Sequence, residues 1–148
     1  MPTDKGGGGC SYQLEIGNCE AMKIGIIGNY GATNIGDEAI LRAILNSHQD
    51  HKFTVFSSDP KKTSHGLSVE SAPIFPLGIR SVFKHGFSCS IKALKSVDAV
   101  ILGGGGLMQD EYLYACFLWA WQIFWVKMFK KPLFIYATGV GPLKTWLG

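Results

Sequence analysis

Three short apolar runs each pass straight into glycine: Met22–Gly28 (Met-Lys-Ile-Gly-Ile-Ile-Gly), Asp98–Gly106 (Asp-Ala-Val-Ile-Leu and then four glycines) and Pro132–Gly141, which ends Thr-Gly-Val-Gly. Unbroken aliphatic runs of this length fit strands buried on both faces, and glycine behind them fits a turn where the backbone approaches a ligand or another element closely. Segments of helical period alternate with them. Asp37–His48 places Ile40, Leu41, Ile44 and Leu45 on one face; Gly78–Val97 repeats Ile79, Val82, Phe83, Phe87, Ile91 and Leu94, with a break expected at Gly86; Tyr112–Phe129 is apolar and aromatic. Lys52–Ser57 reads as a second strand closed by the Ser58-Asp59-Pro60 turn, and a polar stretch runs from Lys61 to Ser68. Val69–Phe75 reads as a weaker strand placed at an edge, because Pro73 has no N–H for a ladder. The order strand, helix, strand, strand, helix, strand, helix, strand predicts an α/β fold, a Rossmann-like parallel sheet with helices on both faces. Ligands of such sheets lie beyond the carboxyl ends of the strands, so the three glycine loops are expected to share one rim.

The totals narrow the function. At 148 residues, 47% hydrophobic and 17% charged, the chain reads as one globular domain over 22–148 behind a flexible tail over 1–21, where Gly6–Gly9 interrupt any apolar period. A net charge of +3 is too small to mark a nucleic-acid binder. Twelve of the fourteen basic residues are Lys; Arg42 and Arg80, the two residues able to fork onto a carboxylate or phosphate, both lie outside the glycine loops. Cys10, Cys19, Cys89 and Cys116 are scattered, no His stands at ligand spacing, and no secretory signal precedes Met22, so the reading is a cytoplasmic protein with reduced thiols and no metal. No cofactor is predicted either. The first loop lacks the Lys-Ser/Thr ending of a P-loop, and glycines at 25, 28, 31 and 36 do not form Gly-x-Gly-x-x-Gly. Tyr112–Val126 is uncharged over 15 residues, short of the ~20 needed to cross a bilayer, so it reads as a buried helix. Its Trp119, Trp121 and Trp125, ahead of Lys127, Lys130 and Lys131, leave shallow contact with a membrane face as a secondary reading.

Two chemistries compete at the rim. Asp37 is either a helix cap or first-turn acid, or a site carboxylate; Tyr30 and Asn34 either bind a ligand or fix their own loop. Gly103–Gly106 either cradle an anion or let the following helix pack closely on the sheet.

Three segments taken together bear on these readings. Gly28–Leu41 with its Asn-Ile-Gly-Asp-Glu-Ala-Ile-Leu ending, Ile101–Asp110 (Ile-Leu-Gly-Gly-Gly-Gly-Leu-Met-Gln-Asp) and Ala137–Leu143 (Ala-Thr-Gly-Val-Gly-Pro-Leu) resemble the polysaccharide pyruvyl transferase family. The resemblance covers Met22–Leu143 and implies the amino-terminal lobe of a two-lobed, glycosyltransferase-B-like enzyme. It also implies a phosphoenolpyruvate donor and a saccharide acceptor, in cell-surface polysaccharide synthesis. By resemblance Asp37 is the catalytic candidate, and Tyr30, Gly31, Asn34, Gly36, Gly104, Gly105, Gln109, Asp110, Gly139 and Gly141 are the substrate-binding candidates. The family continues past the Gly-Pro-Leu turn into a second lobe that carries basic donor-binding groups, so the chain is expected to be an inactive fragment alone, with an exposed apolar flank. The competing expectations are a nucleotide-sugar-dependent glycosyltransferase lobe and a binding module without chemistry.

Overall fold

A computed structural model describes residues 21–32, 34–77, 85–108 and 113–140. The elements are β1 (Lys23–Ile27), α1 (Ile35–Ser47), β2 (Lys52–Ser57), α2 (Pro60–Leu67), β3 (Glu70–Pro73), α3 (His85–Ser96), β4 (Ala99–Met108), α4 (Leu113–Met128) and β5 (Leu133–Val140). The five strands form one sheet in the order β3-β2-β1-β4-β5, every neighbouring pair parallel. Ile24 of β1 lies opposite Phe53 of β2 and Ala99 of β4, which centres β1 in the sheet.

Side-chain alternation along the strands sorts the core into two layers. Ile26 and Val55 point to one face, where Leu41 and Ile44 of α1 and Leu67 of α2 pack on them. Ile27, Phe56, Val100 and Leu102 point to the other, under Phe87 and Leu94 of α3 and Trp119 and Val126 of α4. The chain therefore has the Rossmann-like α/β arrangement expected of it, with helices on both faces. Phe75 stacks on Phe56 and on Trp125, and the Phe87 ring meets Trp125 edge-on at 4.9 Å. Gln122, fully buried on α4, spans the Phe75 peptide: its Oε1 accepts from Phe75 N at 3.1 Å and its Nε2 donates to Phe75 O at 2.8 Å.

Three expectations need correction. The polar stretch after β2 is a helix, α2, started by the Asp59 side chain accepting from Lys62 N, with Pro60 at the first helical position where its missing N–H costs nothing. Glycines 103–106 are no loop, since β4 runs through them to Met108 and pairs Gly103 with Tyr136 and Gly105 with Thr138. Likewise β5 continues through Gly139 to Val140. Gly86 sits in the opening turn of α3, and the segment before it, across which the break was expected, is not described. The part of that predicted segment over 78–84 lies outside the described residues, as does the tail over 1–20. β3 is an edge strand, as Pro73 predicts. β5 forms the opposite edge with Phe134, Ile135 and Tyr136 all more than half exposed.

Candidate functional site

In this sheet the direction of winding reverses between β1 and β4, the place where α/β sheets open a crevice at their carboxyl ends. The residues after β1, the first turn of α1 and the glycine segment of β4 meet there. Asn34 caps α1 with extended backbone, its Oδ1 accepting from Gly36 N at 3.3 Å. The cap is thus Asn34, and Asp37, one of the two readings offered for it, stands in the first turn as an acid.

Asp37 is only 5% exposed, and two amides hold one of its oxygens. Asn34 Nδ2 donates to Oδ2 at 2.9 Å and Asn29 Nδ2 donates to the same atom at 3.0 Å. The other oxygen, Oδ1, lies against Gly105 so closely that a Cβ at that position would overlap it. Gly105 has φ +87°, which a side chain also disfavours, so two independent constraints require glycine there. The carboxylate is thereby fixed in orientation on the floor of a cleft of about 350 Å³ whose lining also includes Leu107, Tyr114, Leu118 and Trp119. None of the described residues lining this cleft carries a positive charge.

Glu38, next to Asp37, turns the other way and accepts from Gly31 N at 2.9 Å, so Gly31 serves to close the first loop onto α1. Tyr30 does not face the cleft. It is fully buried, its hydroxyl donates to Gly103 O at 2.6 Å, and its ring occupies the space a Cβ on Gly104 would need. Burial first, then the nearby Asp37 and Glu38 charges, push its phenol well above the ordinary range for tyrosine. Its carbonyl accepts from Ser58 N, Ser57 Oγ and Ser58 Oγ, which ties the first loop to the end of β2. Tyr30 and Gly104, expected at the substrate, form in the structure the buried joint between the first loop and β4.

Asp37 and Asn34 are therefore brought together in the cleft, Gly36 N donates to the Asn34 cap, Gly105 backs Asp37, and Gly139 sits in β5, which is on the far side of β4. Gln109, Asp110 and Gly141 lie outside the described residues. Asn29 escaped the sequence reading, although an asparagine two residues past a buried strand and eight before an acid is the kind of polar pair a rim brings together. The aromatic contribution of α4 was read there as core, because its period carries no mark of which residues border a cleft.

Among the described residues no group of three or more His, Cys, Asp or Glu is placed to hold a metal ion. Comparison with the curated proteins and with solved structures gave no significant match. The family model for polysaccharide pyruvyl transferase matches residues 34–147, a span that opens on the Asn34 cap and takes in Asp37, the β4 glycines and β5. With more than three quarters of its length matched, the chain belongs to the polysaccharide pyruvyl transferase family.

Proposed function

We propose that this lobe supplies the acceptor-activating wall of an enzyme that transfers pyruvate from phosphoenolpyruvate to a saccharide hydroxyl. The observation that carries the proposal is the Asp37 carboxylate, anchored through one oxygen by two amides and standing in a cleft at the switch point of the sheet. Transfer requires an acceptor hydroxyl to lose its proton as its oxygen bonds to C2 of phosphoenolpyruvate while C3 takes up a proton, after which the C2–O bond to phosphate breaks and a second hydroxyl closes the ketal; a fixed carboxylate at hydrogen-bond reach performs the first deprotonation. Asn29 and Asn34 then act as positioning residues, since they aim the carboxylate and have no proton to give at neutral pH. Tyr114, exposed at the edge of the cleft, offers an aromatic face of the kind on which a sugar ring stacks.

Donor binding needs cations or amides for a carboxylate and a phosphate, and the described lining of the cleft has no Lys or Arg. We place those groups on a second lobe facing the cleft, in a glycosyltransferase-B-like architecture, and expect the 148-residue chain to be inactive alone. Among the described residues no helix is long and apolar enough to cross a membrane.

The test has two arms. The purified chain, assayed with phosphoenolpyruvate and a saccharide acceptor, is expected to give no pyruvylated product; measurable transfer overturns the need for a second lobe. When the chain is joined to the carboxyl-terminal lobe of a full-length family member, Asp37→Asn is expected to lower kcat by about 10²–10⁴, the usual worth of a general base, and to leave acceptor binding near its original strength. An unchanged kcat would remove Asp37 from the mechanism.

A further inference from the structure

We propose that the outer face of α4, together with the lysines at its carboxyl end and on α3, is a docking surface for an anionic lipid bilayer. The helix is apolar on both sides. Trp119, Gln122 and Val126 point inward and are buried, whereas Phe117 is 64% exposed, Phe124 48% and Met128 50%. With the half-buried Trp121, which stacks on Phe124 at 5.7 Å, these residues recur at intervals of four, three and four and so form one stripe along the outer side of the helix. The stripe extends over about 16 Å at 1.5 Å per residue. Large aromatic groups held out in water in a continuous row mark a contact surface rather than a stray exposed side chain.

Charge selects the occupant. Neither α3 nor α4 contains an acidic residue, and Lys92 and Lys95 of α3 and Lys127 and Lys130 at the end of α4 are exposed. The two helices are on the same side of the sheet and are joined at this end by Lys131, whose Nζ donates to the carbonyls of Lys95 and Val97. The asymmetry extends to the whole chain: residues 71–148 hold eight of the fourteen Lys and Arg residues and three of the eleven acids. A second copy of the same face would bring lysine against lysine, and the repulsion opposes a symmetric dimer. An anionic membrane meets both demands, because aromatic side chains settle at the boundary of headgroups and acyl chains while lysines reach the phosphates above it.

The surface begins at the candidate site. Tyr114, one turn before Phe117, lines the Asp37 cleft and is 66% exposed, so docking along α4 brings the cleft mouth to the membrane surface. Nothing in this surface depends on the reaction carried out at Asp37.

Vesicle co-sedimentation of the purified chain tests the proposal, with phosphatidylcholine vesicles set against vesicles containing phosphatidylglycerol. The chain is expected to pellet with the anionic vesicles, and raised salt is expected to weaken that binding. Lys127→Gln with Lys130→Gln should weaken it about fivefold per lysine, the worth of one basic residue near an anionic surface. Phe117→Ser with Phe124→Ser should weaken it at least about tenfold, through loss of buried aromatic area. All four positions are exposed, and circular dichroism checks that each variant folds. The proposal is overturned by three results: no binding to anionic vesicles, binding that neither pair of substitutions alters, or a self-association abolished by the Phe117/Phe124 pair with no vesicle binding alongside it.

Discussion

The Tyr30 hydroxyl and the Asp37 carboxylate lie within one turn of chain yet do opposite work. Tyr30 spends its hydrogen bond on Gly103 O in the core, and Tyr30→Phe is expected to cost about 1–3 kcal/mol in chemical denaturation by leaving that buried carbonyl without a donor. The pH dependence follows from the same burial. In the unfolded chain the phenol ionises near 10, while in the fold it keeps its proton to higher pH. Its contribution to stability is thus complete below about pH 10 and declines above it, by up to about 1.4 kcal/mol per pH unit, until the native phenol also ionises. Tyr30→Phe should flatten this part of the alkaline stability profile. Gly105→Ala tests the floor of the cleft. Positive φ and the overlap with Asp37 Oδ1 together should destabilise the fold by about 1–3 kcal/mol or displace the carboxylate, readable as a lower midpoint in urea.

At the scale of elements, the sheet is joined to α4 by a side chain that imitates a strand. Gln122 meets both the N–H and the C=O of Phe75, just past the end of β3, and so fixes the edge of the sheet beneath an apolar aromatic layer. Gln122→Leu would keep the volume and remove both partners, leaving two buried backbone groups unpaired. The expected loss is about 2–6 kcal/mol by equilibrium unfolding, at about 1–3 for each group, with faster amide exchange around Phe75 as the local sign. The elements at the rim are held by shorter links: Asn34 capping α1, Glu38 reaching back to Gly31, and the Ser57 and Ser58 hydroxyls donating to the Tyr30 carbonyl. The first loop is bound by hydrogen bonds to α1, β2 and β4 at once, and this is what allows a buried carboxylate to be held at one angle.

Across the whole molecule, stability and exposure are unevenly distributed. The layer beneath α3 and α4 is dense with aromatic rings, whereas β5 at the far edge presents Phe134, Ile135 and Tyr136 to water beside an apolar cleft lined by Ile44, Ile101 and Phe134. An edge strand with open backbone groups and apolar side chains is a template for pairing with another strand. Phe134→Lys is expected to raise the concentration at which the chain begins to self-associate, measured by light scattering, without lowering the unfolding midpoint.

How much of this was legible depends on the range over which each feature is decided. The β-branched run before Gly28, the alternation of apolar periods and Pro73 all act locally, so the parallel α/β sheet, the exact span of β2 and the edge position of β3 were readable from residues a few places apart. Tertiary structure alone decided that four glycines belong to a strand, because a backbone ladder with β5 holds them extended and no side chain announces the pairing. It alone turned Tyr30 inward, where the ring fills the space left by Gly104, and alone brought Asn29 and Gly105 to the two oxygens of Asp37. Sequence determines which residues want burial and where helices start; the close approach of backbones distant along the chain determines which of its polar groups are left facing a cleft.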